Sequence, residues 1–535
     1  MIYEAHIKDI SRQAEKVPYD LRGTYLGAAE SGKGTPLGLI QDLGVNAVEW
    51  LPLADYDHIE PTFDDPSLPV HNTWNPYAFN HWGYMPAYYF APEARYAYNN
   101  HLKADRWIGS NGAHVQQLRS LVQTLHRSGL AVIFDVVYNH VAQYGENPLR
   151  QIDPYYSLRY DREGRRQSVS GCGNDLRTER PMIRRLILDS LKHWMKVYGA
   201  DGFRFDLAGL IDAETLAAIT RELRGIKPDL HLIAEPWGGR YDKGRFSRVR
   251  WASWNDHFRD GIRGTDPEYG KGYIFGQWSP RDSGDAMLRH VRGNLREDGG
   301  PYDHEEHCVN FISCHDGHPI GNFVRVGGEH MNHETNHNSV GKPRSAYRVL
   351  SGRDDRRIRL SSLLLLTSRG SVMLHQGDEW GRAKVIEGRS GHDPERGKLD
   401  HNSYEKDDPT NWVDWEELDS PANRKLRDYT RGLIAIRRRH PALRLATRGD
   451  VELLSAKLEF AFGYRISVAR DDMIVLANAD PTREATFDLP PGRWRVLADH
   501  LHADPERSVG GVRERAITLG PVAGAVLHQP FDASP

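Results

Sequence analysis

Short unbroken apolar runs alternate along this chain with stretches whose apolar residues recur every three or four positions. IYEAHIKD (2–9) reads as a strand, a helical segment ends in LGLIQDLG (37–44), and AVEWLPL (47–53) reads as the next strand. From His114 to Ser128 the positions Val115, Leu118, Leu121, Val122 and Leu125 keep helical spacing. Gly129 closes that helix, and LAVIFDVVYNH (130–140) is continuous enough for a strand buried on both faces. Ile183, Leu186, Ile187, Leu191, Trp194 and Val197 predict a helix over 181–198 that leads into ADGFRFDLA (200–208). LHLIAEPW (230–237), RVRWASWNDHF (248–258), CVNFISCHD (308–316) and SVMLHQGDE (371–379) complete a set of eight strands. Eight buried strands separated by helices predict an α/β fold, a (β/α)8 TIM barrel.

After the eighth strand a helix is predicted over 424–443, ending at His440 and Pro441. Beyond it the period shortens to two, in DMIVLANAD, REATFDL, GRWRVLADH, AITLG and GAVLHQ, with turn residues between. The expected organisation is a catalytic barrel over 1–443, with a small insertion at about 141–180, followed by a C-terminal antiparallel β-sandwich over 444–535.

The polar residues give the barrel a direction. Asp135, Asn139, His140, Arg204, Asp206, Glu235, His315, Asp316, Asp378 and Glu379 all fall at the C-terminal ends of their strands, where such barrels carry active sites. Lys plus Arg number 70 against 73 Asp plus Glu, a net charge of -3, so no overall field attracts nucleic acid or an anionic membrane. No apolar run approaches the roughly 20 residues of a membrane span, and a cytoplasmic location is expected. Three cysteines are too few for a disulfide framework, and Cys308 and Cys314 read as reduced core residues.

Two motif matches lead away from metal and nucleotide chemistry. HETNH (333–337) fits the zinc-protease pattern, but Asn332, Thr335, Asn336, Asn338 and Ser339 are weak helix formers, so a polar loop is expected and no metal is assigned. GAAESGKG (27–34) has Gly34 where a phosphate-cradling loop needs a hydroxyl. What remains is carboxylate chemistry. Asp206 and Glu235 lie one βα unit apart, at adjacent strand ends facing one cleft, and paired carboxylates are what glycoside cleavage requires. Arg204, two residues before Asp206, points to the same face and would hold it ionised. Apolar neighbours around Glu235 would raise its pKa for acid work.

DVVYNH (135–140), GFRFDLAG (202–209), IAEPW (233–237) and FISCHDG (311–317) resemble, in order and spacing, the four signature regions of the α-amylase superfamily, family 13 of the glycoside hydrolases. The resemblance implies that Asp206 is the nucleophile, Glu235 the general acid and base, and Asp316 a third carboxylate stabilising the distorted sugar. It implies sugar-binding roles for His140, Arg204 and His315, with Tyr84 as the aromatic platform. Trp82 and Trp237 are added as aromatic neighbours of that site. WGYMPAYYFAPEARYA, SGCGNDLRTERPM, SWNDHFRD and HNSYEKDDPTNWVDW are similar to stretches of the debranching group, the isoamylases, glycogen debranching enzymes and pullulanases. That group usually carries a β-sandwich before the barrel, whereas here the first predicted strand begins at residue 2. The expected activity is retaining hydrolysis of α-1,6 branch linkages in glycogen- or starch-derived dextrins or pullulan, with an α-glucan as the partner. The alternatives are an α-1,4-acting amylase, α-glucosidase or glucanotransferase, or a barrel that only binds glucan. No organic cofactor is expected. Calcium accompanies a large inserted domain in α-amylases, and the segment between Asn139 and Met182 is only about 40 residues long.

Overall fold

The computed structural model describes residues 1–58, 80–99, 108–142, 147–239, 241–279, 284–328, 342–388, 395–468 and 471–529. HETNH (333–337) lies outside the described residues. The barrel strands are β1 (Ile2–Ala5), β2 (Ala47–Trp50), β3 (Ala131–Val136), β4 (Gly202–Phe205), β5 (His231–Ala234), β6 (Ala252–Asn255), β7 (Cys308–Phe311) and β8 (Ser371–His375). All pair in parallel and in chain order. The barrel closes where β1 meets β8, with Ile2 opposite Met373 and Glu4 opposite His375.

Each strand falls inside its predicted run but is shorter, because the polar end of the run leaves the hydrogen-bonded ladder to build the rim. β6 is the extreme case. The helices Lys243–Arg248 and Asp256–Ile262 take the two ends of 248–258, and the Asn255 side chain caps the second by accepting from Phe258 N–H. The register sets Asp135 beside Arg204, and Arg204 beside Ile233.

The helices follow the apolar spacing. α1 (Ala113–Arg127) buries Leu118, Leu121, Val122 and Leu125. α2 (Pro181–His193) buries Ile183, Ile187 and Leu191. The predicted helix over 181–198 changes character at its end, because Trp194–Tyr198 is a π-helical turn. There the Trp194 indole N–H donates to Tyr89 O, and left-handed Gly199 closes the turn. α3 (Gly352–Thr367) and α4 (Pro421–Arg439) carry the chain to the C-terminal unit.

That unit is a six-stranded antiparallel sheet in the spatial order Val451–Ser455, Ala461–Val468, Asp471–Asn478, Ala523–Gln529, Trp494–Ala498, Val512–Arg513, with a second pair, Ala485–Asp488 and Ala516–Leu519. Its strands alternate between two cores. Ile474 and Leu476 pack with Phe487, Trp494 and Leu527 inside the unit, whereas Met473, Val475 and Val526 join the core that runs through the barrel's helices. Cys308 and Cys314 are buried free thiols. Among the described residues no helix is long and apolar enough to cross a membrane.

Candidate active site

Arg204 stands at the centre of the barrel mouth. It is fully buried at the end of β4, with its guanidinium 4.3 Å from the Trp254 ring centroid. Nη1 donates to both Asp135 oxygens at 2.9 Å and to Asp206 Oδ1 at 3.3 Å. Nη2 lies 2.9 Å from Glu235 Oε1. One cation therefore touches three carboxylates from three neighbouring strands, and the i, i+2 spacing of Arg204 and Asp206 is what puts both on the inner face.

Asp206 is fixed from its other side by Asn139, whose Nδ2 donates to Asp206 Oδ2 at 2.8 Å and to the Asp206 carbonyl at 3.0 Å. His140 follows in the same stretch. Its Nδ1 is 2.6 Å from Asn139 Oδ1 and its Nε2 2.7 Å from the carbonyl of Tyr84, and burial lowers its pKa. The Tyr84 hydroxyl donates to Asp135 Oδ2 at 2.5 Å, and its ring stacks on His315 at 4.8 Å. Burial raises the Asp135 pKa to about 7 against the pull of Arg204.

Glu235 accepts a 2.6 Å hydrogen bond at Oε2 from the backbone N–H of Leu207, the residue after Asp206. Leu207 has φ 38°, a left-handed conformation that a leucine adopts only at a cost in strain. Ala208 N–H donates to Glu235 O and Gly209 N–H to Trp237 O, so the loops that follow Asp206 and Glu235 are fastened together. Burial moves the Glu235 carboxyl well above the usual carboxylate range, in spite of Arg204.

Around this centre lies a set of buried groups that the motifs do not reveal. Glu4 receives His315 N–H and His315 Nδ1 on one side and His375 Nδ1 on the other, at 2.7 to 2.9 Å. Burial takes the His315 pKa down to about 3, so the ring is neutral, donates to Glu4 through Nδ1 and keeps Nε2 as an acceptor. Lys384 Nζ donates to the His315 carbonyl at 2.8 Å and lies 5.0 Å from the Trp82 ring centroid. Glu49 is buried with no hydrogen-bond partner for either oxygen among the described residues, and burial pushes its pKa far up. A lone acid in an otherwise apolar strand was the available signal for Glu4 and Glu49.

The proposed sugar-binding aromatics differ in setting. Trp82 is buried, edge-on to His315 at 5.1 Å, and so supports that ring. Trp237 is half-buried, 6.2 Å from Trp254. Asp316 is exposed at the end of β7, beside His315. Asp378 and Glu379 brace the rim instead: Asp378 accepts from Ser313 Oγ, and Glu379 from Tyr3 OH and Gly377 N–H. Below the Tyr84 loop, His6, Asp9 and His81 form a buried hydrogen-bonded group in which His81 Nε2 meets Asp9 Oδ1 at 2.7 Å and His6 Nε2 meets Tyr96 OH at 2.8 Å. Lys33 of GAAESGKG is exposed, between the short helix Tyr25–Ala28 and the helix Pro36–Leu43.

No family model matches the chain. Known proteins do resemble it. A glycogen debranching enzyme of Cronobacter sakazakii is 32% identical over 581 residues, covering 99% of this chain and 76% of that protein. A pullulanase of Bacillus subtilis is 28% identical over 530 residues, covering 93% of this chain, which thus spans only 65% of that relative's length. The crystal structure of a pullulanase from Anoxybacillus sp. LM18-11, complexed with maltotetraose, superposes with a TM-score of 0.78 at 26% identity, over 99% of this chain and 71% of that one. With an eight-stranded barrel, carboxylates from neighbouring strands gathered on one arginine, and a relative 32% identical over 99% of this chain, this chain belongs to the debranching group of the α-amylase superfamily.

Proposed function

We propose that this chain hydrolyses α-1,6 branch linkages of glycogen- or starch-derived dextrins or of pullulan, with retention of the anomeric configuration. The observation that carries the reading is the division of labour around Arg204. The same guanidinium holds Asp206 beside Glu235, while burial and the neighbouring Asp206 charge keep the Glu235 carboxyl protonated to higher pH.

In this reading an Asp206 oxygen attacks the anomeric carbon as Glu235 gives its proton to the departing O6 of the main chain. The covalent glycosyl-Asp206 ester then meets a water whose proton passes to the Glu235 carboxylate, and the ester opens with the α-configuration restored. Arg204 and Asn139 orient Asp206, and the Leu207 N–H fixes the Glu235 carboxyl between the two steps. Asp316, exposed at the mouth, is free to bind hydroxyls of the distorted sugar. His140 and His315 frame the same ring, with Tyr84 as its stacking face. This chemistry needs no organic cofactor.

A cytoplasmic setting agrees with the reduced, buried thiols of Cys308 and Cys314. The preference for branch points is supported by the named relatives and by the stretches around GNDLRTERPM and HNSYEKDDPTNWVDW. An α-1,6 linkage adds an exocyclic carbon with its own free rotation, so the cleft must grip it from several sides. Incubation with pullulan and branched limit dextrin beside linear maltooligosaccharides tests the reading. Release of linear chains from the branched substrates is expected. Rapid shortening of the linear oligosaccharides with branch points left intact would replace it with the α-1,4 alternative.

A further inference from the structure

Two groups of histidine and aspartate among the described residues bring three donor atoms within 4.8 Å of one another, and they differ in what their nitrogens already do. In His6–Asp9–His81 the rings are committed to protein partners. His6 Nε2 meets Tyr96 OH and the His81 carbonyl, and the whole set anchors the Tyr84 loop. The other group lies at the seam between the barrel's last helix and the C-terminal sheet. His440 caps the C-terminus of α4, Asp471 opens the strand Asp471–Asn478, and His528 lies near the end of the neighbouring strand Ala523–Gln529.

The geometry there is convergent. His440 Nδ1 is 2.9 Å and His528 Nε2 3.3 Å from the same oxygen, Asp471 Oδ1. The ring centroids are 4.5 Å apart. The second carboxylate oxygen is held by the N–H of Ala442 at 2.9 Å, which leaves Oδ1 as a single directed ligand. Among the described residues the outer nitrogens, His440 Nε2 and His528 Nδ1, are buried without a hydrogen-bond partner, and both rings turn their other nitrogen toward Asp471 Oδ1. Ligands about 2.0 to 2.1 Å from a tetrahedral zinc ion are separated by about 3.3 Å, close to the 2.9 and 3.3 Å between Asp471 Oδ1 and the two ring nitrogens. The side chains of Asp471 and His528 retain 13% and 12% exposure, which leaves an approach for the ion and for a water in the fourth position.

We propose that His440, Asp471 and His528 form a divalent transition-metal site that clamps α4 to the C-terminal sheet. Two imidazoles and one carboxylate oxygen suit zinc and exclude the all-oxygen preference of calcium and magnesium. The site lies on elements apart from the barrel mouth, so its effect falls on stability. The metal holds the last helix of the barrel to two adjacent strands of the sheet, which in the unfolded chain are up to 88 residues away from that helix.

The test uses the full chain stripped with chelator and then titrated with zinc chloride, with cobalt(II) absorption as a second probe of coordination. One zinc per chain and a rise in Tm of at least about 3 °C at saturation are expected for the wild type. Both should be lost in His528→Gln and Asp471→Asn, and both should persist in His337→Ala, which removes the zinc-protease pattern of the sequence. Zinc stoichiometry unchanged in His528→Gln, or no tetrahedral cobalt spectrum in the wild type, overturns the proposal. A lowered Tm in the variants with no response of the wild type to zinc also overturns it and leaves a simple ion-pair clamp.

Discussion

Glu235 accepts from Leu207 N–H at Oε2 and has the Arg204 guanidinium 2.9 Å from Oε1, yet its burial raises its pKa. A group whose proton is held more tightly when folded remains a competent acid at neutral pH. The kcat/KM profile should therefore fall on its alkaline side as pH rises through the folded pKa of Glu235. The same sign makes its contribution to stability fall as pH rises above the ordinary glutamate value of about 4.3. Glu235→Gln should lower kcat on natural glucans by about 10²-fold or more, should spare activated aryl glycosides, and should remove that alkaline limb. Equal losses on both substrate types, read by steady-state kinetics, would contradict the assignment. Tyr84 couples His315 to Asp135, through its ring and its hydroxyl. Tyr84→Ala should raise KM and lower kcat together, and unchanged kinetics would remove it from the site.

At the scale of elements, the chemistry depends on two loops lying in contact. Gly209, in the turn after β4, donates its N–H to Trp237 O in the loop after β5. A Cβ built there would sit 1.9 Å from Gly238 O and 2.6 Å from Trp237 O, and backbone atoms cannot yield as a side-chain tip does. Gly209→Ala should therefore cost about 1–3 kcal/mol of stability and should also reduce kcat, because it forces Asp206 and Glu235 apart. The denaturation midpoint and kcat measured on one preparation decide this: a stable variant with wild-type turnover would show that the loops move independently. The π-helical turn at Trp194–Tyr198 and the split of 248–258 into helix, strand and helix show how tertiary contacts reshape what local spacing suggests. In both places a polar group, the Trp194 indole or the Asn255 amide, finds a partner that periodicity alone does not specify.

For the whole molecule, the C-terminal sheet is part of the barrel's packing. Met473, Val475 and Val526 belong to the same buried cluster as Leu363 and Leu366 of α3, the Thr367 and Tyr464 hydroxyls meet at 2.6 Å, and Tyr273 OH donates to Phe460 O and Ala477 O. Parts that share a core lose it together. Thermal unfolding followed by near-ultraviolet circular dichroism and by loss of activity should give coincident transitions. Two resolved transitions would show that the sheet melts apart from the barrel.

Eight strands, the direction of the barrel, the change of period after α4 and the pairing of Asp206 with Glu235 were legible in the sequence. These features rest on short-range regularities: residue i and i+2 share a face, continuous apolar runs mean burial on both faces, and charges at strand ends mark the rim. Which groups meet across the barrel was not legible. Glu4 binds His315 and His375, 311 and 371 residues away, and Lys384 reaches the His315 carbonyl from beyond β8. Trp82 is aromatic in the right loop, but only packing made it a buried support instead of an open face. HETNH looked like a metal motif because its histidines are close in sequence, whereas His440, Asp471 and His528 come together only when the helix and the sheet dock. Local periodicity sets the elements, because it needs nothing beyond the pitch of a strand or a helix. Partnership among buried charges is decided by closure of the barrel and docking of the sheet, because only these bring distant donors and acceptors within hydrogen-bonding distance and exclude water from them.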